Sequence, residues 1–148
     1  MTSETKTPWS LDPRLAADTV AAGDLPLSRV LLSNDANYPW LILVPRRARA
    51  VELIDLAAND RAQLMDEIAR VSTVLRDLTA CHKLNVATIG NMVAQLHIHV
   101  IARFRDDGAW PAPVWGKLPA KPYDPPVRDA FLRDLKAALA ADGGGQLE

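Results

Sequence analysis

Only three histidines occur in the chain, and two of them, His97 and His99, stand two residues apart in the stretch Gln95-Leu-His-Ile-His-Val-Ile101. On a strand, positions i and i+2 share a face, with side chains roughly 6–7 Å apart along it. Two neutral imidazoles beside the Gln95 amide would supply a nucleophile or base next to hydrogen-bonding groups. Other readings stand alongside: the pair can be exposed and idle, can be satisfied polar groups at an interface, or can be two ligands of a metal. The metal reading lacks partners, because His82 and the single thiol, Cys81, sit together elsewhere and carboxylates would have to complete the set. We therefore expect no metal and no cofactor.

The elements that must hold these residues follow from pattern. From Gln95 to Arg105 apolar and polar positions alternate: Leu96, Ile98, Val100, Ala102 and Phe104 on one side, Gln95, His97, His99, Ile101, Arg103 and Arg105 on the other. The apolar face supplies the core contact, so the histidine face looks into a cleft, a second subunit or solvent. Upstream, Ser28–Ser33 reads as a strand, closed by the turn-rich Asn34 to Pro39. Trp40 to Val44 then reads as a central strand, apolar on both faces and stopped by Pro45. Six residues separate the two runs, which favours an antiparallel hairpin.

A long helix is predicted next, with Asp60 and Gln63 at capping-box spacing and Leu64, Ile68, Val71, Leu75 and Leu78 on one stripe. Arg61, Asp66, Glu67, Arg70 and Asp77 occupy the other face. Val86–Ile89 begins a further strand, with a break at Gly90-Asn91. The Pro-rich stretch from Ala109 to Pro126 reads as an ordered crossing. A last helix starts at Pro125 or Pro126 behind Asp124, burying Phe131, Leu132, Leu135 and Leu139. This order implies an α+β fold with a mainly antiparallel sheet.

At 148 residues the chain is one domain's worth, long enough to bury a core without staples, and one cysteine excludes a disulfide framework. Seventeen basic and eighteen acidic residues leave a net charge of −1, which counts against nucleic acid as a partner. No apolar run approaches the roughly 20 residues that span a bilayer, and the opening residues lack a leader's apolar core. We expect no membrane partner and a cytoplasmic location. Residues 143–148 read as a flexible tail, with Leu147-Glu148 resembling a cloning remnant.

The string from Gln95 to Ile101 resembles the signature of the histidine triad (HIT) superfamily, His-φ-His-φ-His-φ-φ with φ apolar. All φ positions and the second and third histidines match, while Gln95 takes the place of the first. Asn34 to Tyr38, then Trp40-Leu-Ile-Leu-Val-Pro-Arg-Arg47, looks like the family's segment from a nucleotide-contacting loop into a strand ending Val-Pro. The resemblance spans about residues 25–105 and implies one domain over 1–142, with about five strands, one long central helix and a C-terminal helix. It further implies a homodimer that acts on nucleotides.

By position, His97 matches the nucleophile that attacks an α-phosphorus to form a nucleotidyl-histidine, its tautomer fixed by a backbone carbonyl. His99 matches the histidine that contacts the phosphate oxygens, and Asn91 the asparagine near the reacting phosphate. Asn34, or Asp35 beside it, matches the residue that holds the ribose hydroxyls. Arg103 follows the triad in the expected order. Trp40 stands where many members have a supporting histidine, and both are counted as substrate-site residues. Gln95 can donate and accept hydrogen bonds but cannot carry a proton as imidazole does; the resemblance places it with His97 and His99 among the catalytic residues, holding the phosphate.

The resemblance implies a hydrolase or transferase acting on dinucleoside polyphosphates, phosphoramidates or adenylated compounds, with a purine nucleoside and with diadenosine polyphosphates preferred. A non-catalytic nucleotide-binding protein and a transferase to an acceptor other than water are the rivals. Elsewhere, Arg46, Arg47 and Arg49 can attract polyphosphate or form a solvated loop. Trp110 and Trp115 can stack on a base or pack under the crossing. His82 reads as a helix-end residue favoured by the dipole.

Overall fold

The computed structural model describes residues 8–141. The tail at 143–148 and the opening residues read as lacking a leader lie outside the described residues. In chain order the elements are α1 (Pro13–Ala17), β1 (Thr19–Asp24), β2 (Ser28–Ser33), β3 (Trp40–Pro45), a 3-10 turn (Leu53–Asp55), α2 (Ala58–Thr79), β4 (Lys83–Ala87), β5 (Ile98–Arg103) and α3 (Pro125–Ala141). The five strands form one sheet in the order β1-β2-β3-β5-β4, with every neighbouring pair antiparallel. This is the α+β architecture expected, with β2 and β3 paired as the predicted hairpin.

One sheet face carries the larger core. Val30 and Leu32 of β2, Leu41 and Leu43 of β3, and Val100 and Ala102 of β5 pack against Val71, Val74 and Leu75 of α2 and Leu132, Leu135 and Leu139 of α3. Arg70 of α2 also donates to the Leu139 carbonyl. The opposite face is covered by chain on both sides of the histidines. The N-terminal residues put Leu15, Trp9 and Leu11 on Leu31, Ile42 and Val44. The Pro-rich crossing puts Ala109 and Val114 on Tyr38 and Ile101. Consequently all six residues of β5 are buried.

Several expectations are corrected. The long helix begins at Ala58 behind Ala57, with no side-chain cap; Asp60 instead holds Arg47 through two bonds, and Gln63 holds Glu67. Glu67, placed on the polar face by its type, is buried because its carboxylate accepts the Leu27 and Ser28 N–H groups at the β1–β2 turn, each at 2.8 Å. Leu78, placed on the apolar stripe, is 37% exposed. The strand read at Val86–Ile89 starts three residues earlier and ends two earlier, at Lys83–Ala87, and β5 is shorter than the alternation implied. Three elements, α1, β1 and the 3-10 turn, carry no signal that the sequence reading finds.

Candidate active site

His97 and His99 reach the same cleft from different backbone settings. His99 lies in the ladder, paired with Ile42 of β3 and Ala87 of β4. His97 precedes the first ladder residue, Ile98, and its Nδ1 lies 2.6 Å from the Gln95 carbonyl two residues back. A carbonyl can only accept, so in the neutral ring Nδ1 carries the proton and Nε2 keeps its lone pair. The two rings stand 4.9 Å apart between centroids at 75°, and both residues are buried, at 6% and 7% exposure.

His99 is wedged among aromatic rings. Trp40 lies edge-on at 5.6 Å and Trp115 of the crossing at 5.0 Å, and the two indoles are themselves 5.8 Å apart. The Trp40 indole N–H donates to His99 Nδ1 at 3.0 Å. Burial first, and the neighbouring His97 second, push the His99 ring down from the ordinary 6.5 to about 4, so it is neutral near pH 7.

The cleft has a volume of about 930 Å³ and is walled by four segments. Leu15, Asp18 and Thr19 come from α1 and the start of β1; Ser33, Asn34 and Asp35 close β2. Gly90, Asn91, Met92 and Val93 form the loop before the histidines, and Trp115, Ala120, Lys121 and Pro122 belong to the crossing. Gly90 takes φ +73°, a backbone conformation that lets the chain turn into Asn91 and that side chains oppose.

The loop after β2 is tied on both sides. Asn34 N–H donates to the Asp18 carbonyl at 2.9 Å. Asp35 Oδ1 accepts from Asn37 N–H and Lys121 N–H, while Ala36 N–H donates to the Lys121 carbonyl at 2.7 Å. Among the described residues, no three His, Cys, Asp or Glu side chains gather in a way that could hold a metal ion.

Of the eight residues singled out from the sequence, His97, His99, Asn34, Asp35, Asn91 and Trp40 meet at this cleft, and two do not. Gln95 turns its amide away: Oε1 accepts from Asp12 N–H at 2.8 Å and Nε2 donates to the Ser10 carbonyl at 2.9 Å. It clamps the N-terminal segment. Arg103, 1% exposed, is committed elsewhere. Its guanidinium makes two bonds to Asp107, one to Asn85 and one to the Ala112 carbonyl, and lies near the rings of Tyr38 and Trp110.

Trp110 therefore packs against Arg103 and His82, while Trp115 joins Trp40 at the cleft. His82 sits beyond the helix end and accepts from Arg105, rather than serving the dipole. Arg46 holds the carbonyls of Leu25, Pro26 and Leu27, and Arg47 holds Asp60; neither lines the cleft. Reasoning from sequence missed Leu15, Asp18, Thr19 and Lys121, which reach the cleft through α1, β1 and a strap that carry no periodic signal.

The HIT domain family model matches residues 14–106. Among solved structures, a histidine triad protein of Bradyrhizobium japonicum is 53% identical, with a TM-score of 0.89 over 90% of this chain and 99% of that one. One of Marinobacter aquaeolei is 41% identical, with a TM-score of 0.87 over 90% and 97%. One of Sinorhizobium meliloti is 40% identical, with a TM-score of 0.86 over 88% and 96%. Among curated proteins none matches the chain. The family match begins within α1, so the wall of the cleft formed by α1 and β1 is part of the shared unit. The chain belongs to the histidine triad family, whose members are in general nucleotide-binding hydrolases or transferases.

Proposed function

We propose that this protein acts at the α-phosphate of a purine nucleotide conjugate through a covalent nucleotidyl-His97 intermediate, as a cytoplasmic homodimer with one domain in each subunit. The observation that carries the reading is the 2.6 Å contact between His97 Nδ1 and the Gln95 carbonyl, which leaves Nε2 as a lone pair on a residue lining the cleft. Nε2 attacks phosphorus, the P–N bond to His97 forms, and the P–O or P–N bond to the leaving group breaks with its electron pair, a phosphate departing as its anion and an amine taking up a proton from solvent. Water then attacks the same phosphorus. The pair of the P–N bond returns to Nε2, the nucleoside monophosphate leaves, and the water's proton passes to solvent. Splitting one displacement into two lets a good imidazole nucleophile do what water does slowly.

His99 and Asn91 hold the phosphate oxygens as charge builds, and Asn34 with Asp35 holds the ribose. The apolar contributions of Leu15, Ile42 and Val93 to the cleft suit a base. Gln95 takes the first triad position in the sequence, and its amide supports the N-terminal segment rather than the reacting group. Dinucleoside polyphosphates are the preferred substrates, and diadenosine polyphosphate is the first to try.

The test is intact-protein mass spectrometry after brief incubation with diadenosine polyphosphates, adenosine phosphoramidate and their guanosine counterparts, with released nucleotides followed in parallel. A nucleoside monophosphate adduct that disappears in His97→Ala, together with product, is the expected result. Saturable nucleoside monophosphate binding with neither adduct nor product would overturn the enzyme in favour of a nucleotide-binding protein. An adduct discharged to added phosphate or amine faster than to water would make it a transferase.

A further inference from the structure

We propose that Trp40 is a positioning residue that locks His99 in the Nε2–H tautomer, opposite to that of His97, so that the two rings present one lone pair and one N–H donor to the same cleft. The inference deepens the reading above and rests on it for its catalytic meaning. Its structural basis is separate.

An indole N–H donates and has no lone pair to accept with. At 3.0 Å it requires His99 Nδ1 to be a bare acceptor, and the proton of the neutral ring then sits on Nε2. An imidazolium would set N–H against N–H at that contact and charge a ring packed between two indoles, so the same bond also disfavours protonation. The sheet register brings the pair within reach. Trp40 opposes Ile101 and Ile42 opposes His99, which puts Trp40 and His99 on one face as diagonal cross-strand neighbours. Trp115, edge-on to both rings, leaves His99 little room to turn.

The contrast with His97 follows from backbone alone. One residue before the ladder, His97 folds its Nδ1 onto the carbonyl of its own segment. The outcome is a division of labour: His97 serves as nucleophile, while His99 donates to a phosphate oxygen in the ground and transition states without changing charge.

The direct test is long-range proton–nitrogen NMR of the histidine rings in the full-length 15N-labelled protein near pH 7, with His97→Asn and His99→Gln for assignment. His97 is expected as a single Nδ1–H tautomer and His99 as a single Nε2–H tautomer. A Nδ1–H or averaged tautomer at His99 overturns the proposal, whether or not any substrate is turned over.

Trp40→Phe, which keeps an aromatic ring and removes the donor, is expected to give an averaged His99 signal. Its kcat should fall on the order of tenfold with KM changed less than about threefold, because ground-state binding survives and orientation does not. Trp40→His, which restores an N–H, should recover part of the loss. An unchanged His99 signal in a folded Trp40→Phe would also overturn the assignment. A wild type that forms no adduct while showing the two opposite tautomers would instead defeat the enzymatic reading and leave the lock standing.

Discussion

Arg103 brings a cation beneath the crossing, where it is 1% exposed, and every branch of its guanidinium has a partner. Asp107, its main partner, is pushed up by burial, but the Arg103 bond and the Phe104 and Ala109 N–H groups outweigh this and hold its carboxyl at about 2. Removing one member of such a pair leaves a buried charge uncompensated. Arg103→Met is therefore expected to cost about 3–5 kcal/mol in urea unfolding. A side chain that served substrate alone would raise KM with stability unchanged. The same reasoning separates the two possible uses of Gln95. Its two bonds to the Ser10–Asp12 backbone contribute about 1–2 kcal/mol together, so Gln95→Leu should speed amide exchange across residues 8–17 on the order of tenfold. A glutamine acting on the reacting phosphate would instead lower adduct formation and leave that exchange untouched. Neither role is legible in the sequence, since alternation places a side chain on a face but says nothing of which chain segment will cover it. His97 and His99 were legible because a spacing of two on a strand forces a common face.

Elements differ in how much of their own reason they carry. α3 and the apolar run of β3 declare themselves, and the capping-box spacing within α2 misleads only about where that helix starts. The end of α2 holds a small strain that pattern cannot reveal. Ala80, its C-cap, takes φ 53° and ψ 36°, the left-handed conformation, while its N–H closes the last turn on the Arg76 carbonyl. For an alanine this costs roughly 1–2 kcal/mol that glycine does not incur, partly offset by glycine's greater freedom when unfolded. Ala80→Gly is expected to raise the unfolding free energy by about 0.5–1 kcal/mol, read as a higher urea midpoint at unchanged m-value. A lower midpoint would mean that the methyl group is needed for packing. β1 was illegible for a different reason. Thr19–Asp24 includes a glycine at φ 133° and a register shift between Ala21 and Gly23, and its exposure pattern does not alternate cleanly. β4 lies at the sheet edge with Lys83 and Val86 exposed, so its few inward residues give a signal displaced by two to three positions. The Pro-rich crossing reads as ordered, yet what orders it carries no periodic signal: the local, buried Arg103–Asp107 pair at one end and the long-range Asp35–Lys121 contact at the other.

At the scale of the whole molecule, the sheet divides labour between its faces: helices build a core on one, and two straps form a cleft on the other. That arrangement buries an imidazole that must remain uncharged, and it couples stability to pH. His99 has a folded value near 4 against an ordinary 6.5, so between those pH values the unfolded chain binds a proton that the folded one refuses. Stability is therefore full above about pH 6.5 and falls as pH drops towards 4, by up to about 3 kcal/mol. Asp107 acts in a lower window. Its folded carboxyl near 2, against 3.8, stabilises the fold above the higher value, and that contribution is lost as pH falls from 3.8 through 2. Urea midpoints should accordingly agree at pH 7.5 and 8, decline from 6.5 to 5, and drop again below 4. The first decline is assignable to one ring. In His99→Gln the amide oxygen can still accept from the Trp40 indole but does not titrate, so the midpoint should be lower at pH 7.5 yet nearly level from there to pH 5. If wild type and variant decline in parallel over that interval, the proton responsible is bound elsewhere, and His99 is not the group that makes this fold sensitive to mild acid.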